Sequence, residues 1–158
     1  MLRHNTPIEM HDLHGVPIFV KREDLCCPYP GPSFSKMRGV VAHIAARPEK
    51  VIGCLDTFHS KAGWAVAWAC KNLGKQAVDF WPHYKADNYT QGDLPPRRQQ
   101  REAVNLGASM AALPAGRSSV LYHTAKKRLK EYGEAIDTET YIMPNALKLP
   151  ESITENAA

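Results

Sequence analysis

Residues 21–40 read KREDLCCPYPGPSFSKMRGV, and the rest of the chain is ordered around them. Just ahead, Val16 to Val20 is rich in β-branched residues and reads as a strand. Lys21, Arg22, Glu23 and Asp24 put four charges in a row where that strand runs out. From Cys26 to Pro32, three prolines and a glycine exclude helix interior and central strand. Ser33 then reads as an N-cap, which places Lys36 in the first turn of a helix. The positive end of a helix dipole disfavours a cation there. That suits a lysine whose amine must be neutral to attack an aldehyde.

Outward from this stretch the pattern is regular. Upstream, Thr6 to Val20 gives two short strands split by His14-Gly15. Downstream, Phe34 to Ala46 carries Met37, Val40, Val41, Ile44 and Ala45 at helical spacing, and Pro48 ends it. A strand at Val51–Leu55 follows, then a helix from Ser60 to Leu73 closed by Gly74. The next strand, Gln76–Trp81, is expected to stop at Pro82, and Lys85 to Pro96 reads as a polar loop. A helix from Pro96 to Leu106, a strand at Ser109–Leu113, a helix from Ser118 ending at Gly133 and a strand at Thr140–Met143 complete the alternation. Pro150 to Glu155 reads as a helix start, with Ser152 and Glu155 spaced as a capping box. Strands and helices alternating at short intervals predict an α/β fold: an open parallel sheet with helices on both faces.

KREDL, the Pro/Gly loop and S-F-(S)-K-M-R-G together resemble the pyridoxal phosphate (PLP) enzymes of the tryptophan synthase β-like family, or fold type II. That family includes serine and threonine dehydratases, threonine synthase, cysteine synthase, aminocyclopropane-carboxylate deaminase and D-cysteine desulfhydrase. Its members read S-F-K-x-R-G or G-x-N-K-x-R here, and this chain inserts Ser35 before Lys36. The resemblance implies PLP as cofactor, a small amino-acid substrate, and Lys36 as the Schiff-base lysine and general base. The implied chemistry is lyase-like: β-elimination, deamination or replacement. It also implies that residues 1–36 belong to a large domain, that 37–144 form the small α/β domain, and that 145–158 begin a return to the large domain. Only the N-terminal half of such an enzyme is expected here. A second copy or a complementing C-terminal half would then cover its bare face.

A second site segment is FHSKAGWAVA, where a strand feeds a helix. Family members carry S-N-H or S-G-N-x-G there, with the asparagine touching the cofactor ring oxygen. Ser60 and Gly63 fit, but Lys61 stands at the asparagine position. Lys61 could pair with the phenolate oxygen, compete as a second reactive amine, or point to solvent. His59 or Ser60 would be the residue that moves protons from this loop. On position alone, Ser60 serves equally well as a plain N-cap.

Composition narrows the remaining classes. The chain has 158 residues, 44% hydrophobic and 23% charged, with a net charge of +4. That is a globular balance that permits an anionic ligand without demanding nucleic acid. No apolar run is long enough to span a membrane, and MLRHNTPIEM lacks the apolar core of a signal peptide. The four cysteines show no disulfide-framework spacing, which fits free thiols in a cytoplasmic compartment. His11 and His14 are not followed by a second ligand pair, so their spacing does not make a zinc site. Arg97, Arg98 and Arg101 read as a solvated helix start, and Trp64 and Trp68 as core. The alternative to an enzyme is a non-catalytic α/β scaffold that binds a protein partner or a small anion.

Overall fold

The computed structural model describes residues 2–3, 5–57, 59–84, 90, 93–95 and 97–157. Two strands, β1 (Ile8–Leu13) and β2 (Val16–Lys21), form an antiparallel hairpin. Then come α1 (Met37–Ala45), β3 (Val51–Leu55), α2 (Ala62–Asn72), β4 (Gln76–His83), α3 (Arg98–Asn105), β5 (Ser109–Pro114), α4 (Ser118–Ala135), β6 (Thr140–Ile142) and α5 (Pro150–Ala157). The last four strands make one sheet in the order β5-β4-β3-β6, and every pairing is parallel.

Strand order dictates which face each helix covers. From β3 to β4 to β5 the chain steps one way, so right-handed crossovers put α2 and α3 on one face. The path then returns past β4 and β3 to lay down β6, and the same handedness puts α4 on the other face. The two buried clusters agree. Ile52, Cys54 and Ala77 pack with α1, α2 and α3, while Val51, Leu55, Val78 and Phe80 pack with Leu121, Ala125 and Leu129 of α4. Both faces are dry, so β3 is buried along its whole length instead of alternating.

The alternation predicted from sequence is present, with several local corrections. Ser33 is not the N-cap of α1; that position is held by Lys36. β4 does not stop at Pro82 but runs on to His83. Alternate residues of a parallel strand point their amides to the same side, and the Phe80 carbonyl accepts from Asp56 N. The missing Pro82 amide therefore faces the side where β3 has already ended. α4 runs past Gly133 to Ala135. A Cβ at Gly133 would lie 2.6 Å from Thr140 Cγ2 and 2.7 Å from the Thr138 carbonyl, so this glycine permits close packing and does not end the helix. Ser152 and Glu155 form no capping box, because Ser152 lies inside α5, against Gly39 of α1. Most of the predicted Lys85–Pro96 loop lies outside the described residues. Trp64 and Trp68 are core.

Candidate active site

A doubly wound sheet offers a ligand crevice where neighbouring strands send their connections in opposite directions. β3 and β6 are parallel neighbours here, so both end at the same edge of the sheet. The chain leaves β3 and β6 from that edge, and the start of α1 reaches the segment after β6 through Lys36. Lys36 Nζ donates to the Ala146 carbonyl at 3.0 Å and to the Leu147 carbonyl at 3.4 Å. Ala146 (φ 58°) and Leu147 (φ 49°) are both left-handed without being glycine. Backbone in that region is costly, and it gathers where geometry serves a site. Lys61 Nζ donates to the Ser33 carbonyl at 2.6 Å, so it lies across the loop that leads to Lys36. Ser60 Oγ accepts from Ala62 N at 2.9 Å, which makes it a turn residue just ahead of α2. An open cleft of about 570 Å³ is lined by Asp24, Ser33, Phe34, Ser35, His59, Ser60 and Lys61. Ser60 and Lys61 thus line one cleft, while Lys36 is not among its lining residues and turns its amine to the Ala146 and Leu147 carbonyls. Gly63 does not line that cleft: it is buried in the first turn of α2, and a Cβ there would lie 2.1 Å from Asp79 Oδ2.

The KREDL charges build the frame of this cleft. Arg22 holds Asp24 through Nε and Nη2, both at 2.8 Å, and Glu9 through Nη1 at 2.7 Å. Glu23 accepts from the Thr6 hydroxyl at 2.6 Å and pairs with buried Arg38 at 2.8 Å. Burial pushes the Glu23 carboxyl up, but Thr6, Lys21 and the Arg38 charge outweigh it and hold the group below its ordinary range. Arg38 also donates to the Arg3 carbonyl, so the arginine of the lysine motif clamps the N-terminal segment to α1. Gly39 serves packing, since a Cβ there would lie 2.5 Å from the Ser152 backbone. The prolines are pinned too: Trp64 Nε1 donates to the Pro30 carbonyl at 2.8 Å.

Two residues that the sequence reading passed over lie directly beneath the β3–α2 loop. Asp56 and Asp79 are each 1% exposed. Asp56 Oδ1 accepts from Thr57 N at 2.9 Å, while its Oδ2 and both oxygens of Asp79 have no hydrogen-bond partner. Burial pushes Asp56 up to about 7, against the pull of Thr57, Ser60, Gly63 and Arg97. Burial raises Asp79 further, with the Asp56 charge adding to the rise. A signal was present, since an aspartate inside the apolar run AVDFW has to be buried. The left-handed pair at Ala146 and Leu147 had no such signal.

No family model matches the sequence. A curated relative, the glycyl-dTMP PLP-dependent decarboxylase of Pseudomonas phage M6, is 64% identical over all 158 residues. An aminocyclopropane-carboxylate (ACC) deaminase homologue superposes with a TM-score of 0.75 at 19% identity, covering 96% of this chain and 45% of that one. Diaminopropionate ammonia lyase from Escherichia coli does so with a TM-score of 0.59 at 18% identity, covering 96% and 41%. The fold is that of the fold type II PLP enzymes. The chain spans about half the length of the relative it matches, 54% of it. The sequence resemblance to this family is thereby upheld, for the stretch that the chain covers.

Proposed function

We propose that this chain is the lysine-bearing portion of a PLP-dependent enzyme of the lyase, deaminase or decarboxylase type, with Lys36 as the amine that holds the cofactor. The observation that supports the reading is the Lys36 amine reaching the Ala146 carbonyl in the loop after β6, in a fold of the fold type II kind. The residues present fit the cofactor in chemistry and room. Lys61, Ser33, Ser35 and Ser60 line the cleft, the Lys36 amine lies against the loop after β6, and the start of α2 favours an anion. When bound, PLP supplies an electron-poor ring that takes up the electron pair of a broken bond at the substrate α-carbon. Lys36 would hold the cofactor through Nζ, yield to the substrate amine and then move a proton at the α-carbon. Ser60 and His59 would face the same carbon from the β3–α2 loop, and Lys61 would hold an oxygen or a carboxylate of the bound molecules. Gly63 would act indirectly, by letting α2 close on Asp79.

The relative adds decarboxylation to the elimination, deamination and replacement expected from sequence. It also favours a substrate in which an amino-acid group is carried on a nucleotide, a narrower class than a free small amino acid. The three arginines around the start of α3 are held in three ways. Arg97 lies over the Tyr84 ring at 5.9 Å, Arg98 pairs with Glu102 at 3.8 Å, and Arg101 donates to the Pro95 carbonyl at 3.3 Å. The division into residues 1–36, 37–144 and 145–158 is part of the same proposal. So is a partner for the hairpin, either a complementing segment or a second copy. No helix among the described residues is long and apolar enough to cross a membrane, and all four cysteines are buried free thiols. We place the protein in the cytoplasm on that thiol chemistry.

The test is borohydride reduction in the presence of PLP, followed by peptide mapping. Attachment at Lys36 is expected, lost in Lys36→Ala and retained in Lys61→Asn. Attachment that survives Lys36→Ala and vanishes in Lys61→Ala would move the site to Lys61. The scaffold alternative takes over if neither lysine is labelled in this chain or in a version extended to the length of its relative.

A further inference from the structure

Asp56 and Asp79 have no part in the chemistry above, yet they are the most costly groups in the core. A buried carboxylate needs a cation or several donors to remain charged. Asp79 has neither: both its oxygens lack a hydrogen-bond partner, and the backbone of α2 closes on it at Gly63. Asp56 has the Thr57 amide, with the Ser60 hydroxyl and the Gly63 amide also favouring its charged form. Those three donors belong to the β3–α2 loop and the first turn of α2, which carry Ser60 and Lys61.

We propose that Asp56 and Asp79 hold one proton between them and act as the positioning pair of the β3–α2 loop, fixing where Ser60 and Lys61 stand. Asp79 keeps the proton, because it has no donor to compensate a charge. Asp56 keeps the negative charge and gathers the loop amides around it. Loss of the shared proton to solvent leaves two negative charges in a dry layer, and repulsion drives Asp56 outward. The loop then moves, because the Thr57 amide is tied to that carboxylate. The other titratable groups facing the pair are Cys54 on β3, with Cys70 behind it on α2, and Arg97 ahead of α3. Burial pushes both thiols up, so they stay neutral and do not compensate the charge. Arg97 favours the ionised form of Asp56 and strengthens the division of roles.

The pair matters for catalysis only if Ser60 and Lys61 face the cofactor, so that consequence rests on the proposed function. The pair itself is tested without cofactor. Carboxyl carbon and amide resonances of the isotopically labelled chain are followed from pH 5 to pH 9. The Thr57, Ser60 and Gly63 amides are expected to move together, with one midpoint near neutrality, in step with the Asp56 carboxyl. In Asp79→Asn, which imitates the protonated acid, that midpoint is expected to stay within about half a unit, because Asp79 carries no charge while Asp56 titrates, and a fall of about one unit or more would show Asp79 ionised and overturn the division of roles. Both carboxyls titrating in the ordinary aspartate range would overturn the proposal. So would loop amides that stay still while Asp56 titrates. These outcomes are read from the unaltered chain, so they hold even if Asp79→Asn does not fold. They also do not depend on whether Lys36 is labelled by PLP.

Discussion

The β1–β2 hairpin and the four-stranded sheet are built from similar residues and end in opposite conditions. β3 is buried at every position. Every residue of β2 is exposed, with Phe19 at 67%, and Ile8 and Met10 on β1 are each at 66%. The sheet is closed by its helices, whereas the hairpin is held at its base by charges: Arg22 to Glu9 and Asp24, and Arg38 to Glu23. Apolar burial can make a dry layer without a partner chain. A two-stranded ribbon cannot, because neither of its faces has a second layer. The hairpin is thus left bare among the described residues, and the sheet is a finished core with one costly pair inside it.

The difference is sharpest in the response to pH. In the sheet, Asp56 is raised to about 7 and Asp79 further, so the folded state binds more protons than the unfolded chain. Stability therefore falls as pH rises from the ordinary aspartate range toward 7. For Asp56 alone, from 3.8 to about 7, the loss is on the order of 4 kcal/mol. In the hairpin base, Glu23 is held below its ordinary value of 4.5. Its contribution is fully present above that value and is lost as pH falls through the lower folded value. Amide exchange at several pH values should show β4 protected more strongly at pH 5 than at pH 8. Hairpin protection should fail only in stronger acid. Parallel loss in both regions would mean that they unfold as one unit and would break the comparison.

Two glycines make the next contrast. Gly63→Ala pushes a methyl group into the Asp79 carboxyl, where the nearest approach would be 2.1 Å. Overpacking of that kind should cost about 3 kcal/mol in denaturant unfolding. Gly15 sits in the hairpin turn at φ +82°, with nothing within 4 Å of a Cβ. Gly15→Ala should cost about 1 kcal/mol, from backbone conformation alone, and leave the sheet unchanged. Equal costs at the two positions would show that contact with Asp79 is not what limits position 63.

How much of this was legible follows from where the physics is local. The βα alternation was readable because each element announces itself by period and by its stop residues. The stops misled where a residue had a tertiary role. Gly133 looked like a helix end but lets Thr140 approach, and Pro82 looked like a strand end but has no neighbour to disappoint. Lys36 was legible only as part of a motif. Its acceptors, the Ala146 and Leu147 carbonyls, lie 110 and 111 residues away and carry no sequence mark. Asp79 was legible in principle, as a carboxylate in an apolar strand. Its neighbour Asp56 was not, because an aspartate after a strand usually faces water.

The smallest expected effect on stability tests the hairpin as a docking face. Met10 and Phe19 are direct cross-strand partners, so their side chains share one face. If nothing in this chain covers that face, replacing both residues should cost little in folding. Met10→Glu with Phe19→Lys sets opposite charges across the strands and avoids the penalty of like charges. Unfolding free energy should stay within about 0.5 kcal/mol of the unaltered chain. Association should change instead, since each large apolar side chain buried by a partner contributes about 1.5–3 kcal/mol. Sedimentation of the unaltered chain should show self-association that the double variant reduces. A loss of several kcal/mol in folding would mean that the hairpin packs within its own chain. Unchanged association would place the sticky surface elsewhere, with the open side of β6 as the next face to test, since β6 has β3 as its sole strand neighbour among the described residues.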